Sequence, residues 1–279
     1  MKTQVILKLK EQPSLPIEAE NIIPENFKGK SLEEINNIAL LNGNQERKIE
    51  DYFETEIILA NESEMSNNSV KIILIGDLSK FKSIGQGMTE GDIEIQGSVG
   101  FHTGALMKGG SIVVKGNAAD WLGAHMEGGL INVLGSAGHF AGSGYRGKTQ
   151  GMTGGTILIK ESAGRMVGAR MRGGLIAVGG DCEDVLGYKM LAGTILVVGD
   201  AGTRIGTNML RGTIILFKSP KLMPIFYYNC YYQPAFWGLL YKDLQFKGFD
   251  ISDSYKNVFF KRFSSDANEG ARGEVLICQ

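Results

Sequence analysis

The chain has 279 residues, 29 of them basic and 30 acidic, for a formal net charge of −1. That balance excludes the basic footprint of a nucleic-acid binder, and no stretch approaches the ~18 uninterrupted apolar residues of a membrane-spanning helix. Three widely separated cysteines, Cys182, Cys230 and Cys278, offer no C-x-x-C pair, iron–sulfur spacing or disulfide framework.

The opening run lacks the apolar core of a signal peptide, so a cytoplasmic protein is expected. Residues 1–75 read as a small α/β cap. Stretches 5–10 and 55–60 alternate or run apolar like strands. Ser31-Leu32-Glu33-Glu34 has capping-box form, with Ser31 as N-cap and Glu34 three residues on. Ile35, Ile38, Ala39 and Leu41 then supply the apolar face of a helix that Gly43 would stop. Residues 70–75 read as a strand that feeds the first coil of a repeat.

Residues 76–218 are that repeat. Met88, Met107, Met126, Met152, Met171, Met190 and Met209 recur every 19 residues, except for one interval of 26 that contains a seven-residue insert. Around each stands the phrase G-x-x-M-x-x-G-x-I-x-V-x-G, and 33 of the 39 glycines fall between Gly76 and Gly212. Apolar residues five and seven positions after the methionine give the period of two of a half-buried strand. Glycines at both strand ends mark turns where positive φ costs little. One such unit cannot bury its apolar face alone, so the units must stack. Stacking at about 4.8 Å per coil gives a rod roughly 34 Å long. Left-handed β-helices use six-residue units, which do not divide 19, and crossovers between parallel strands are right-handed. The expected fold is therefore mainly β, a right-handed parallel β-helix of about seven 19-residue coils. The methionines stack as an internal ladder, a role thioethers fill well; soft-metal ligation is the weaker reading. Ile112/Val114 and Ile176/Val178 belong to the same core.

The three histidines, His102, His125 and His139, stand at −5, −1 and +13 from their repeat methionines, hence in different columns, and no metal cluster is expected. Glycine pairs such as Gly85/Gly87 and Gly142/Gly144 lack the strand-to-helix context of a nucleotide loop. Arg170 and Lys189 precede their methionines, Arg172 and Arg211 follow theirs, and the insert adds Arg146 and Lys148. Stacking would align these six into a basic strip for an anionic ligand or acidic partner; solvated corners with acidic neighbours are the competing reading.

Residues 219–279 form an aromatic-rich extension. The segment 217–263 holds 15 of the 24 aromatic residues. Tyr227, Tyr228, Tyr231, Tyr232, Phe236 and Trp237 are candidates for an interface, since Tyr and Trp bury area while keeping a polar handle. A cap folded over the last coil would use the same residues.

The coil phrase resembles the β-helical domain shared by the glutamate synthase large subunit and the C subunit of formylmethanofuran dehydrogenase. Phe27-Lys28-Gly29-Lys30-Ser31, Leu41-Asn42-Gly43-Asn44, Asp51-Tyr52-Phe53-Glu54, the insert Gly144-Tyr145-Arg146-Gly147-Lys148 before Gly151-Met152, and Phe260-Lys261-Arg262 resemble the dehydrogenase's C subunit in particular. The resemblance implies a structural subunit without an active site or cofactor of its own. Its partners would be pterin-dependent subunits carrying molybdenum or tungsten, iron–sulfur subunits, and an amidohydrolase-like subunit with two metals. Together they reduce CO2 with electrons from ferredoxin-type donors and attach the formyl group to methanofuran, the first step of methanogenesis from CO2, or run in reverse. Methanofuran carries glutamyl carboxylates, which the basic strip could help position. Frequent Lys, Ile and Asn point to an AT-rich genome, as in many methanogens. Two alternatives stay open: a stand-alone glutamate synthase β-helix domain, and the C subunit of a bacterial formyltransferase/hydrolase complex.

Overall fold

The computed structural model of the chain describes residues 3–58 and 70–279. The first segment holds β1 (Thr3–Leu9), β2 (Ile17–Glu18), α1 (Leu32–Asn36), β3 (Ala39–Asn42), β4 (Gln45–Lys48), the single turn α2 (Ile49–Tyr52) and β5 (Phe53–Ile58). The expected strand at 55–60 is thus β5, with residues 59 and 60 outside the described residues. The Ser31 capping box forms, with the Glu34 backbone donating to Ser31 Oγ and the Ser31 backbone to the Glu34 carboxylate. The helix stops at Asn36, however, earlier than predicted. Ala39 and Leu41 lie on β3, and Gly43, at φ +63°, opens the two-residue turn into β4.

The repeat region comes next as β6 (Val70–Ile75), β7 (Phe81–Lys82), β8 (Asp92–Gln96), β9 (Ser111–Val114), β10 (Leu130–Val133), β11 (Thr156–Ile159), β12 (Leu175–Val178), β13 (Thr194–Val197) and β14 (Thr213–Leu216). The chain then runs through β15 (Tyr227–Tyr232), α3 (Trp237–Phe246), β16 (Phe260–Ser264) and β17 (Glu274–Cys278). Among the described residues thirteen strands form one sheet in the order β15-β16-β17-β14-β13-β12-β11-β10-β9-β8-β6-β1-β5, and β4-β3-β2-β7 form a second.

From β1 and β6 to β14 and on to β17 the pairing is parallel and in register. Ile93, Ile112, Ile131, Ile157, Ile176, Ile195 and Ile214 make one column, extended by Val275. A second, thinner ladder of single parallel bridges runs from Leu78 through Val99, Ala118, Ala137, Ala163 and Cys182 to Ala201. Two ladders in the same order mean that each repeat rests on its neighbours in sequence, as in any stacked repeat. The β17 rung was not anticipated, although Gly273-Glu274-Val275-Leu276-Ile277 carries the repeat's strand half without its methionine.

The interior explains the phrase. All seven repeat methionines are fully buried, each worth about 1.5–3 kcal/mol. The Cε methyl of every one lies 2.6–2.9 Å from where a Cβ would stand on the glycine just before the next strand of the stack, from Met88 under Gly110 to Met209 under Gly273. Six of those seven glycines also hold positive φ, between +79° and +100°, and at Gly174 an added Cβ would lie 2.7 Å from both Met152 Cε and the Gly155 carbonyl oxygen. A reciprocal contact runs the other way, with Ile176 Cδ1 filling the space a side chain at Gly142 would need. Methionine and glycine recur together because they are the two halves of one contact.

A second cluster lies outside the sheet. Leu158, Leu175, Ala177, Leu196 and Ile215 on the outer face of β11–β14 pack beneath Trp237, Tyr241 and Leu244 of α3, with Phe249 and Ile251 beside them.

Candidate functional site

The corners of the coils, not the strands, carry the chemistry-bearing side chains. Two corner columns hold non-glycine residues at left-handed φ, at −5 and −1 from the methionine. Arg170 (φ +61°) and Lys189 (φ +53°) share the second. The insert folds back on this corner, where Ser143 Oγ donates to the Met166 carbonyl (2.7 Å) and the Arg170 guanidinium donates to the Lys148 carbonyl.

The six predicted cations meet along three adjoining clefts. Lys148, Arg170 and Lys189 line one of about 320 Å³, beside Leu191 and Leu210. Arg172 and Arg211 line a neighbour of about 380 Å³ that shares those leucines and adds Arg272, which sequence reasoning missed. Arg146 lines a third, of about 200 Å³, sharing Arg170. Among the described residues none of these seven cations forms an ion pair, and no carboxylate lines any of the clefts. Cations on another corner differ, since Arg165 meets Glu183 at 3.1 Å and Arg204 meets Asp184 at 3.5 Å. Lys189 Nζ instead sits 5.4 Å from the Tyr188 ring, a cation–π distance. An uncompensated positive corner of this kind attracts anions.

Two of the three histidines come together, contrary to the column argument. Tyr145, in the insert, donates its backbone N–H to His125 Nε2 (2.8 Å), and its hydroxyl lies 2.9 Å from His102 Nδ1. The insert crosses back over earlier coils, which lets side chains from different columns meet on one tyrosine. Burial lowers the pKa of both imidazoles, with Lys148 adding to the effect at His125, and raises that of the Tyr145 phenol. Neutral imidazoles are what the acceptor role at His125 requires. His139 stands apart and accepts from the Arg165 backbone (2.9 Å). Among the described residues no group of three or more His, Cys, Asp or Glu is placed to hold a metal ion.

Sequence reasoning also missed an aromatic column. His102, Trp121 and Phe140 occupy successive −5 corners; the Trp121 and Phe140 rings stack at 4.3 Å and 6°. The signal was in the period itself, since His102, Trp121 and Phe140 are each 19 residues apart.

Of the predicted interface residues, Tyr227, Tyr228, Tyr231 and Phe236 are exposed and Tyr232 is half-buried. Trp237 is not available to a partner. It is 1% exposed, packed among Phe217, Tyr241 and Phe260, with its indole N–H donated to the Tyr255 carbonyl (2.8 Å). Leu239 and Phe246, unmarked in the sequence, project from the outer side of α3 at 74% and 91% exposure.

Fold and site together define a mainly β repeat protein with a large parallel sheet, an apolar interior and a basic corner. No protein family's sequence profile matches the chain. Among curated proteins it is similar to the C subunit of tungsten-containing formylmethanofuran dehydrogenase 2 from Methanothermobacter thermautotrophicus, 44% identical over 103 residues, which are 37% of each chain. It is 40% identical over 99 residues to the C subunit of molybdenum-containing formylmethanofuran dehydrogenase 1 from Methanothermobacter marburgensis, covering 36% of this chain and 23% of that one. The matched stretch therefore spans little more than a third of these relatives at most. Among solved structures a chain of the formyltransferase/hydrolase complex (FhcABCD) from Methylorubrum extorquens, crystallised with methylofuran, matches over 98% of both chains with a TM-score of 0.87 and 28% identity. Over about a third of its length the chain is similar to C subunits of formylmethanofuran dehydrogenase, as the resemblance in its motifs indicated. None of its helices, among the described residues, is long and apolar enough to cross a membrane.

Proposed function

We propose that this chain is the non-catalytic structural C subunit of a formylmethanofuran dehydrogenase. The observation that carries the reading is its 44% identity, over 103 residues, to a protein named as that subunit. The whole-length likeness to a chain of another multisubunit formyl-handling complex supports it. On this reading residues 76–218 form a right-handed parallel β-helix of about seven coils. The 1–75 cap and the 219–279 extension close its ends. Catalysis belongs to partner chains: a pterin-dependent pair holding molybdenum or tungsten, iron–sulfur subunits, and an amidohydrolase-like subunit with two metals. The rod is the rigid cytoplasmic framework on which they pack. Tyr227, Tyr228, Tyr231 and Phe236 offer rings for docking, and the basic strip takes an anionic ligand, such as the glutamyl carboxylates of methanofuran, or an acidic partner.

The whole-length structural match favours a second reading, the equivalent subunit of a formyltransferase/hydrolase complex. Native pull-down from the source cell separates the two. Co-purifying pterin-dependent and iron–sulfur chains support the first, and a formyltransferase-type set without them supports the second. Glutaminase and flavin-binding chains would overturn both, and formate or CO2 turnover by the isolated chain would show that it has an active site of its own.

A further inference from the structure

The cleft of about 200 Å³ combines two features that the other two clefts do not share. One is a wall of rings: Trp121 and Phe140, stacked face to face, with Tyr188 also lining the cleft. The other is a pair of cations, Arg146 and Arg170, without a carboxylate in the lining. The fold does not demand the rings. The same left-handed corner accepts Ser83, Met166, Val185 and Arg204 at φ between +58° and +67°, so an aromatic residue there is a property of this part of the surface and not of the coil. Nor does the fold explain the cations, since Arg204 on the same corner as the rings, and Arg165 beside that corner, are compensated by Asp184 and Glu183. The insert is also held in place: Tyr145 is anchored to His125 and His102, and the next residue is Arg146.

We infer that this cleft binds a planar aromatic ring carrying an anionic group, a carboxylate or a phosphate. The edges and unstacked faces of the lining rings suit offset or edge-to-face contact with a bound ring, and a guanidinium fork matches a carboxylate or phosphate with two parallel hydrogen bonds. A cleft of this size suits a single substituted ring better than a fused polycycle. The assignment deepens the reading of the strip as an anion site and rests on it.

The two tryptophans, Trp121 and Trp237, make the test internally controlled. In the 15N-labelled full chain their indole N–H signals are followed during titration with phenyl phosphate, and in parallel with inorganic phosphate. The Trp121 signal should shift saturably while that of the buried Trp237 stays fixed. Phenyl phosphate should bind at least tenfold more tightly than inorganic phosphate. Arg146→Gln and Arg170→Gln should each weaken it about tenfold. Among the described residues the Arg146 side chain makes no hydrogen bond, so that variant does not disturb the insert. If both phosphates bind equally, the strip is an anion site and the aromatic subsite is wrong. If neither binds, both readings fall. An unmoved Trp121 signal, or unchanged affinity in both variants, also overturns the inference.

Discussion

The rungs β8–β10 and β11–β14 share an inner face and differ on the outer one. Inward, both present isoleucine in the same column, methionine at the same corner, and glycine above each methyl. Outward, six residues after the methionine, β8–β10 carry Glu94, Val113 and Asn132, all partly exposed, whereas β11–β14 carry Leu158, Ala177, Leu196 and Ile215, all buried. The first set alternates like a sheet with one wet face; the second reads as an unbroken apolar run because α3 covers it. The 19-residue phrase therefore specifies only how coils stack. A single outward column decides what else may lie against them.

The sharpest test of that difference is a charge placed on each outer face. Leu196→Asp buries a carboxylate under α3 and should cost on the order of 4 kcal/mol, while Val113→Asp should cost about 1 kcal/mol or less, both read from urea unfolding. Equal losses would mean that the α3 covering contributes nothing. The inner face should show no such contrast. Met107→Ala and Met171→Ala each empty the space beneath the next glycine, and each should cost about 2–5 kcal/mol, alike to within about 1 kcal/mol. A large disparity between them would end the idea of one uniform interior.

The seam between the two halves is the insert, and it should respond to acid. His102 and His125 have lowered pKa values in the fold, with burial the main cause at each; Glu18, Lys82 and Asp120 also act on the first and Lys148 on the second. The unfolded chain therefore takes up protons first, as the pH falls through about 6.5. Stability is complete above that value and declines as the pH drops towards the lowered folded values. Trp121 fluorescence, 5.1 Å from the Tyr145 ring, should change before global unfolding, and His125→Gln should flatten the change. The smallest effect belongs to the strip. Neutralising Arg172 and Arg211 to Gln should leave the melting temperature unchanged, within about 0.5 kcal/mol of stability, because no ion pair is lost among the described residues.

What the sequence shows best is what repeats. Strand positions follow from the alternation after each methionine, and the basic corner follows from placing Arg170 beside Lys189. Contacts between coils of unlike sequence are harder to read. The meeting of His102 and His125 depends on how a seven-residue insert folds back, and periodicity says nothing about that. Trp237 fails as an interface residue because exposure depends on what α3 packs against. The turn in the outer column from Glu94, Val113 and Asn132 to Leu158, Ala177, Leu196 and Ile215 was nevertheless available, and it announces a covering element. The early end of α1 reflects a different competition, in which Ala39 and Leu41 pair with β4 instead of extending a helix.

The methyl-under-glycine contact is directional, and that bears on how the chain comes together. Each methionine points into a hollow offered by the coil after it, so no coil has a finished interior until its successor has been laid down. During synthesis the molecule would close in one direction, every newly made turn sealing the one before, and the process ends at Gly273, which receives the last methyl from Met209.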